Sequence, residues 1–120
     1  MKALRIDPAT RTVTMITLDI SKGKLAALQA QVGGPVEVAD RYQNGDDLLV
    51  NEEGLFGNPQ HFFSLCGDPR LALAGVGVIV GTLSTDEGTD WISCTTGFEE
   101  VLQKVKFYSL AELKLALGVA

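Results

Sequence analysis

Residues 36–51 read VEVADRYQNGDDLLVN. Asn44-Gly45 divides the stretch into two strand-like runs, 36–43 and 46–51. Asn-Gly between such runs is the strongest short-range hairpin signal, because the favoured two-residue turn needs positive φ at both central positions. An antiparallel hairpin is therefore predicted here, and the rest of the chain is read outward from it.

Toward the N-terminus, residues 2–6 form a short strand pattern with Leu4 and Ile6 on one face. Asp7-Pro8-Ala9-Thr10 reads as a turn, since Pro presets φ and Asp can bond back to the chain. Residues 12–18 alternate and are rich in β-branched side chains, which predicts a second strand and an N-terminal hairpin. Leu25, Leu28 and Val32 then recur at i, i+3 and i+7, with Ser21 as a candidate cap, and predict a helix. Gly33-Gly34-Pro35 ends it.

Toward the C-terminus, Glu52-Glu53-Gly54 closes the strand. Asn58-Pro59 predicts a helix start, with a short helical turn through His61, Phe62, Phe63 and Leu65 that Gly67-Asp68-Pro69 breaks. Residues 71–83 form an apolar run with three glycines, which predicts a central strand buried on both faces. Residues 91–95 read as its antiparallel neighbour across Asp86-Glu87-Gly88. Phe98, Val101, Leu102 and Val105 predict a helix, and Ser109 with Glu112 makes a capping-box pattern that opens a last helix over 110–117. The expected fold class is α+β. One mixed or antiparallel sheet of about five to six strands is built from hairpins, with two to four helices packed on it. A single domain is expected over residues 1–120.

Of the 120 residues, 46% are hydrophobic and 21% charged, an ordinary globular balance. The most apolar run, 71–81, falls short of the roughly 18 residues that a spanning helix needs. Arg5 and Asp7 interrupt the start, so no signal-peptide core is expected and a cytoplasmic location follows. A net charge of −5 with scattered basic residues argues against a nucleic-acid partner. Cys66 and Cys94 fit neither a disulfide framework nor metal-ligand spacing, and read as two small buried hydrophobes. No metal or cofactor is expected.

Few residues carry a chemical signature. Gly75, Gly77 and Gly81 miss the dinucleotide spacing and lie within a strand, where glycine serves close packing or a bulge. His61 is the only histidine. Beside two Phe it fits a pocket wall better than a catalytic base, which needs a nucleophile and an orienting acid in reach. Asp40, Asp46, Asp47, Glu52 and Glu53 read as solvated charges at turns.

Three stretches in order carry a resemblance: VGGPVEVAD at 32–40, DDLLVNEEGLFGNPQ at 46–60 and LAGVGVIVG at 73–81. With Leu28-Gln29 at the end of the preceding helix, they resemble domain-of-unknown-function family 3846, small proteins common in bacteriophages and plasmids. The resemblance spans roughly residues 1–84. It implies a small α+β fold and a mobile-element origin, and it places recurring polar positions on Glu37, Asn51, Glu52, Glu53 and Asn58. The family usually has an Ala-Thr pair where this chain has His61, Phe62 and Phe63, a departure that implies a specialised pocket.

Three functions are weighed. The first is a non-enzymatic binding protein of a phage or mobile element that counters host defence by sequestering a nucleotide signal. Phe62 and Phe63 would stack on the base, and backbone N–H groups at the Asn58-Pro59 helix start would hold a phosphate. The second is a protein-protein interaction module, homo-oligomeric in form, that docks a host protein on Leu110, Leu113 and Leu117. The third is a hydrolase or nuclease using Glu52, Glu53 and a divalent metal.

Overall fold

A computed structural model describes residues 1–119. The large sheet contains six antiparallel strands, β1 (Lys2–Asp7), β2 (Thr12–Thr17), β3 (Val36–Arg41), β4 (Asp47–Asn51), β7 (Gly77–Thr85) and β8 (Gly88–Ile92). Its order is β2-β1-β7-β4-β3, with β8 joined to the far half of β7. A small antiparallel sheet, β6-β5-β9, is made of β5 (His61–Ser64), β6 (Leu73–Ala74) and β9 (Lys106–Ser109). Three helices complete the chain: α1 (Lys24–Val32), α2 (Phe98–Lys104) and α3 (Leu110–Ala116). The α+β class holds, but the strands divide between two sheets.

The layers follow from what each face buries. One face of the large sheet presents Ala3, Leu49, Val78 and Val80 to Leu28 and Val32 of α1. The opposite face presents Leu4, Ile6, Leu48 and Ile79 to Phe63 of the small sheet and Val101 of α2. The outer face of the small sheet sets Phe62 and Tyr108 against Leu113 of α3. Neighbouring residues of a strand point to opposite faces. Phe62 and Phe63 therefore serve two different interfaces.

β7 is the spine. Val78, Ile79 and Val80 are fully buried, flanked by β1 and β4. Its glycines are there for space. A Cβ on Gly77 would lie 2.5 Å from the tip of the Phe63 ring, and one on Gly81 would meet the Ser93 carbonyl. The predicted strand 71–83 is thus interrupted: Pro69–Leu71 is a 3₁₀ turn, β6 is short, and Gly75 at φ 78° separates β6 from β7.

The hairpin of β3 and β4 forms with a different turn from the one expected. Among its turn residues only Gly45 has positive φ, at 91°. Gly45 N–H donates to Tyr42 O (3.1 Å), Tyr42 N–H donates to Asp46 O (2.8 Å), and the Asn44 side chain accepts from Asp46 N–H (2.9 Å). This is a longer loop in which a first turn is followed by a left-handed glycine. It turns Asp46 and Asp47 inward, so the expected solvated pair is buried.

Asp46, only 1% exposed, accepts from Thr95 N–H and Oγ1 and from Thr96 N–H and Oγ1 at 2.6–3.0 Å. These bonds fasten the chain leaving β8 to the β3–β4 turn and so set the start of α2. Asp47 is held by Arg41 at 2.8 Å.

Two further expectations are corrected. His61 to Leu65 is not helical, because residues 61–64 form β5, with Phe62 paired to Ala74 and Tyr108. Ser21 does not cap α1. Gly23 occupies that position and Leu25 is exposed, so only Leu28 and Val32 of the expected stripe are buried. The capping box at Ser109 and Glu112 is complete.

Removing the Asp46 carboxylate would leave the buried Thr96 N–H without a partner, which costs about 1–3 kcal/mol for such a group. Asp46→Ala is expected to lose about 3 kcal/mol in urea unfolding, and Thr14→Ala on the exposed face of β2 to change stability by less than about 0.5 kcal/mol.

Glu112 links α3 to the first hairpin. Its carboxylate is drawn down to about 2, chiefly by the hydrogen bond from Arg11 and then by those from Ser109. A carboxylate lowered from its ordinary 4.5 stabilises the fold above that value and ceases to as pH falls through about 2. Exchange protection of the α3 amides should therefore fall between those two pH values. Glu112→Gln should show weaker protection at neutral pH and no such step.

Candidate functional site

The two stacked sheets are unequal in width, and one side of the stack is open. On the β2 side, α2 packs against the large sheet. On the other side, β3 ends the large sheet and β6 ends the small one. A groove runs between these two edges. Its narrower end, about 100 Å³, lies among Glu37, Val50, Asn51, Gly54 and Ala72–Ala74. Its wider end, about 410 Å³, lies among Asp40, Leu48, Leu65, Cys66, Arg70 and Leu71. Leu48 and Val50 of β4 form the floor and belong to the core beneath.

Large apolar side chains surround it without cover. Leu55 (73% exposed) and Leu71 (62%) line the groove, and Phe56 (75%) follows Leu55 on the same exposed loop. The rim is acidic. Glu37, Asp40, Glu52 and Glu53 are exposed and make no ion pair among the described residues. The neighbouring cations are already neutralised, Arg41 by Asp47 and Arg70 by Asp68 at 2.9 Å.

The expected site residues divide into groups. Glu37, Asn51 and Glu52 meet at the narrower end of the groove. His61 lies in an adjoining, largely apolar hollow of about 200 Å³ with Pro8, Pro59 and Val76. Glu53 and Asn58 are exposed on the loop after β4, with Asn58 at φ 60°. Phe62 (5% exposed) and Phe63 (0%) are core residues. With no helix at Asn58-Pro59 and both rings buried, the described residues hold neither the expected base-stacking surface nor the helix-start phosphate site. Among the described residues no group of three or more His, Cys, Asp or Glu is disposed to hold a metal ion. Of the expected apolar face of α3, Leu113 is buried against Phe62 and Tyr108 and Leu110 packs beside them, while Leu117 stays exposed.

Asn51 works within the fold. Its amide donates to Val32 O (3.4 Å) at the end of α1, and its carbonyl oxygen accepts from Glu53 N–H (2.8 Å). A Cβ on Gly34 would lie 2.8 Å from the Asn51 amide, and one on Gly54 would lie 3.1 Å from the carbonyl oxygens of Ala74 and Asn51. The Val-Gly-Gly-Pro, Asn-Glu-Glu-Gly and Leu-Ala-Gly stretches thus converge on one packing knot at the narrower end of the groove. Sequence reading missed the wider end, with Asp40, Arg70 and Leu71. Leu55-Phe56 between Gly54 and Gly57, an apolar pair in a loop, was a signal for the narrower end, which Leu55 lines.

Two unequal antiparallel sheets, stacked between helices and open along one side, define the class: an α+β scaffold with a surface groove. The chain belongs to the family described as "Domain of unknown function (DUF3846)", which matches residues 1–106. The match runs beyond the 1–84 of the sequence resemblance and takes in β8 and α2. No curated protein and no solved structure matches the chain.

The cysteines also part company. Cys66 is exposed at the wider end of the groove, against the expectation that both are buried, and Cys94 is half-buried. Burial, then the nearby Asp46 carboxylate, pushes the Cys94 thiol up from its ordinary value. The thiolate is the reactive form. A maleimide at neutral pH should therefore label Cys66 well before Cys94, as read by mass spectrometry. Equal rates would contradict this environment for Cys94.

Proposed function

We propose that the chain is a non-enzymatic protein-binding module that uses the open side of its sheet stack. The observation that carries this reading is the placement of Leu55 and Leu71, both well exposed, in the lining of one groove, with exposed Phe56 following Leu55 in the chain. Exposed apolar side chains grouped at a concave surface with a polar rim are the mark of a docking site. The nucleotide-sequestering reading drops behind it, since its aromatic pair lies in the core. The mobile-element origin implied by the family resemblance makes a host protein, such as a defence protein, the natural partner. The place of action would be the host cytosol. Among the described residues no helix is long and apolar enough to cross a membrane.

Tagged protein should retain one stoichiometric partner from host lysate, with retention reduced at least about tenfold by Phe56→Asp or Leu71→Asp, the size of effect expected for a central apolar contact. Both variants should melt within a few degrees of the parent. Equal retention by the parent and both variants would contradict this surface. A thermal shift with a nucleotide and no captured protein would restore the sequestering reading.

A further inference from the structure

We propose that the groove takes a short extended segment of the partner, alternately apolar and basic, which adds to the free edge of β3 as a further strand. This rests on the protein-binding reading and specifies its mode. β3 ends the large sheet, so one row of its backbone groups has no partner within the sheet. Glu52 N–H donates to Pro35 O, and Tyr42 N–H donates to Asp46 O. In an antiparallel pair, bonded and non-bonded residues alternate. Counting from both ends of the ladder, Glu37 and Asp40 bond inward to β4, while Val36 and Val38 turn their N–H and C=O outward.

An incoming strand would bond to those groups and set every second side chain on the groove face, where Glu37 and Asp40 stand across from Val50 and Leu48, and the others on the α1 face beside Val36 and Val38. Charge selects the rest of it. Glu37, Asp40, Glu52 and Glu53 have no ion partner among the described residues, whereas Arg41 and Arg70 are already paired. Lys or Arg at the groove-facing positions would supply the missing charge, and apolar residues at the others would cover Val36 and Val38.

A second copy of the chain fits less well. It would set one acidic edge against another, and the irregularity between Val38 and Asp40 breaks the register that a long pairing of two β3 strands would need.

The test uses short random peptides displayed for selection against the full chain, followed by synthesis of the enriched sequences. Alternation of apolar and basic residues is expected among them. Bound peptide should slow hydrogen exchange at the Val36 and Val38 amides. Val38→Pro removes an outward N–H without costing a ladder bond, and should weaken binding at least about tenfold. The double reversal Glu37→Lys, Asp40→Lys alters only exposed side chains and should weaken it as much, which keeps the test decisive if Val38→Pro melts early.

Peptides that bind both variants as well as the parent, or that leave the Val36 and Val38 amides unprotected, would overturn strand addition. If those peptides are still lost with Phe56→Asp, the protein-binding reading stands alone. If no peptide is enriched and sedimentation shows a dimer that Val38→Pro dissociates, the edge serves a second copy and the proposal fails.

Discussion

The ring of Phe63 occupies the place where a side chain of residue 77 would stand, and the two-sheet stack depends on that fit. The small sheet can lie close to β7 only because Gly77 has no Cβ. Full burial of the ring contributes about 2–3 kcal/mol, on the usual area scale. Its neighbour Phe62 points the other way and receives α3. One strand of four residues therefore fixes the order of the layers, from α1 through both sheets to α3. The same contact explains the groove. A three-stranded sheet centred on β5 cannot cover the whole width of the larger one, and α2 fills only the β2 side.

Polar groups then complete what apolar packing begins. Asp46 draws residues 95 and 96 across to the β3–β4 turn, and Asn51 ties the end of α1 to the exit of β4. Both are inside the fold, so neither is free for a partner. The stretches that mark the family meet at Gly34, Asn51, Gly54 and Ala74, and their first service is to pack that corner. What faces outward beside the knot is different in kind: bare carboxylates and uncovered Leu and Phe. The proposed function rests on this division between a bonded interior and an unsatisfied rim.

Much of the architecture was legible in local chemistry. Asn44-Gly45 marked its hairpin, Gly33 its helix end, and Ser109 with Glu112 its cap, because each signal is spent within a few residues. The turn type was not legible, since the Asn44 side chain could satisfy Asp46 N–H and relieve Asn44 of positive φ. β5 hid behind Asn58-Pro59 and two adjacent Phe. A strand between two apolar layers shows no alternation, so its period gave no warning. The burial of Asp46 depends on Thr95 and Thr96, about fifty residues away, and no local pattern carries that pairing. Glu37, Asn51 and Glu52, singled out by their family positions, lie around one end of the groove. The wider end of the groove depended on the placement of β6, which the sequence had merged with β7.

The stacking of the small sheet on the large one is most directly tested by proton NMR of the intact chain. Cross-relaxation is expected from the Phe63 ring to the α protons of Gly77 and the methyls of Leu48, with the Gly77 signals shifted by the ring current. A Phe63 ring that relaxes with neither residue, or helical sequential contacts through residues 61–65, would contradict the stack and with it the open side from which the groove is built.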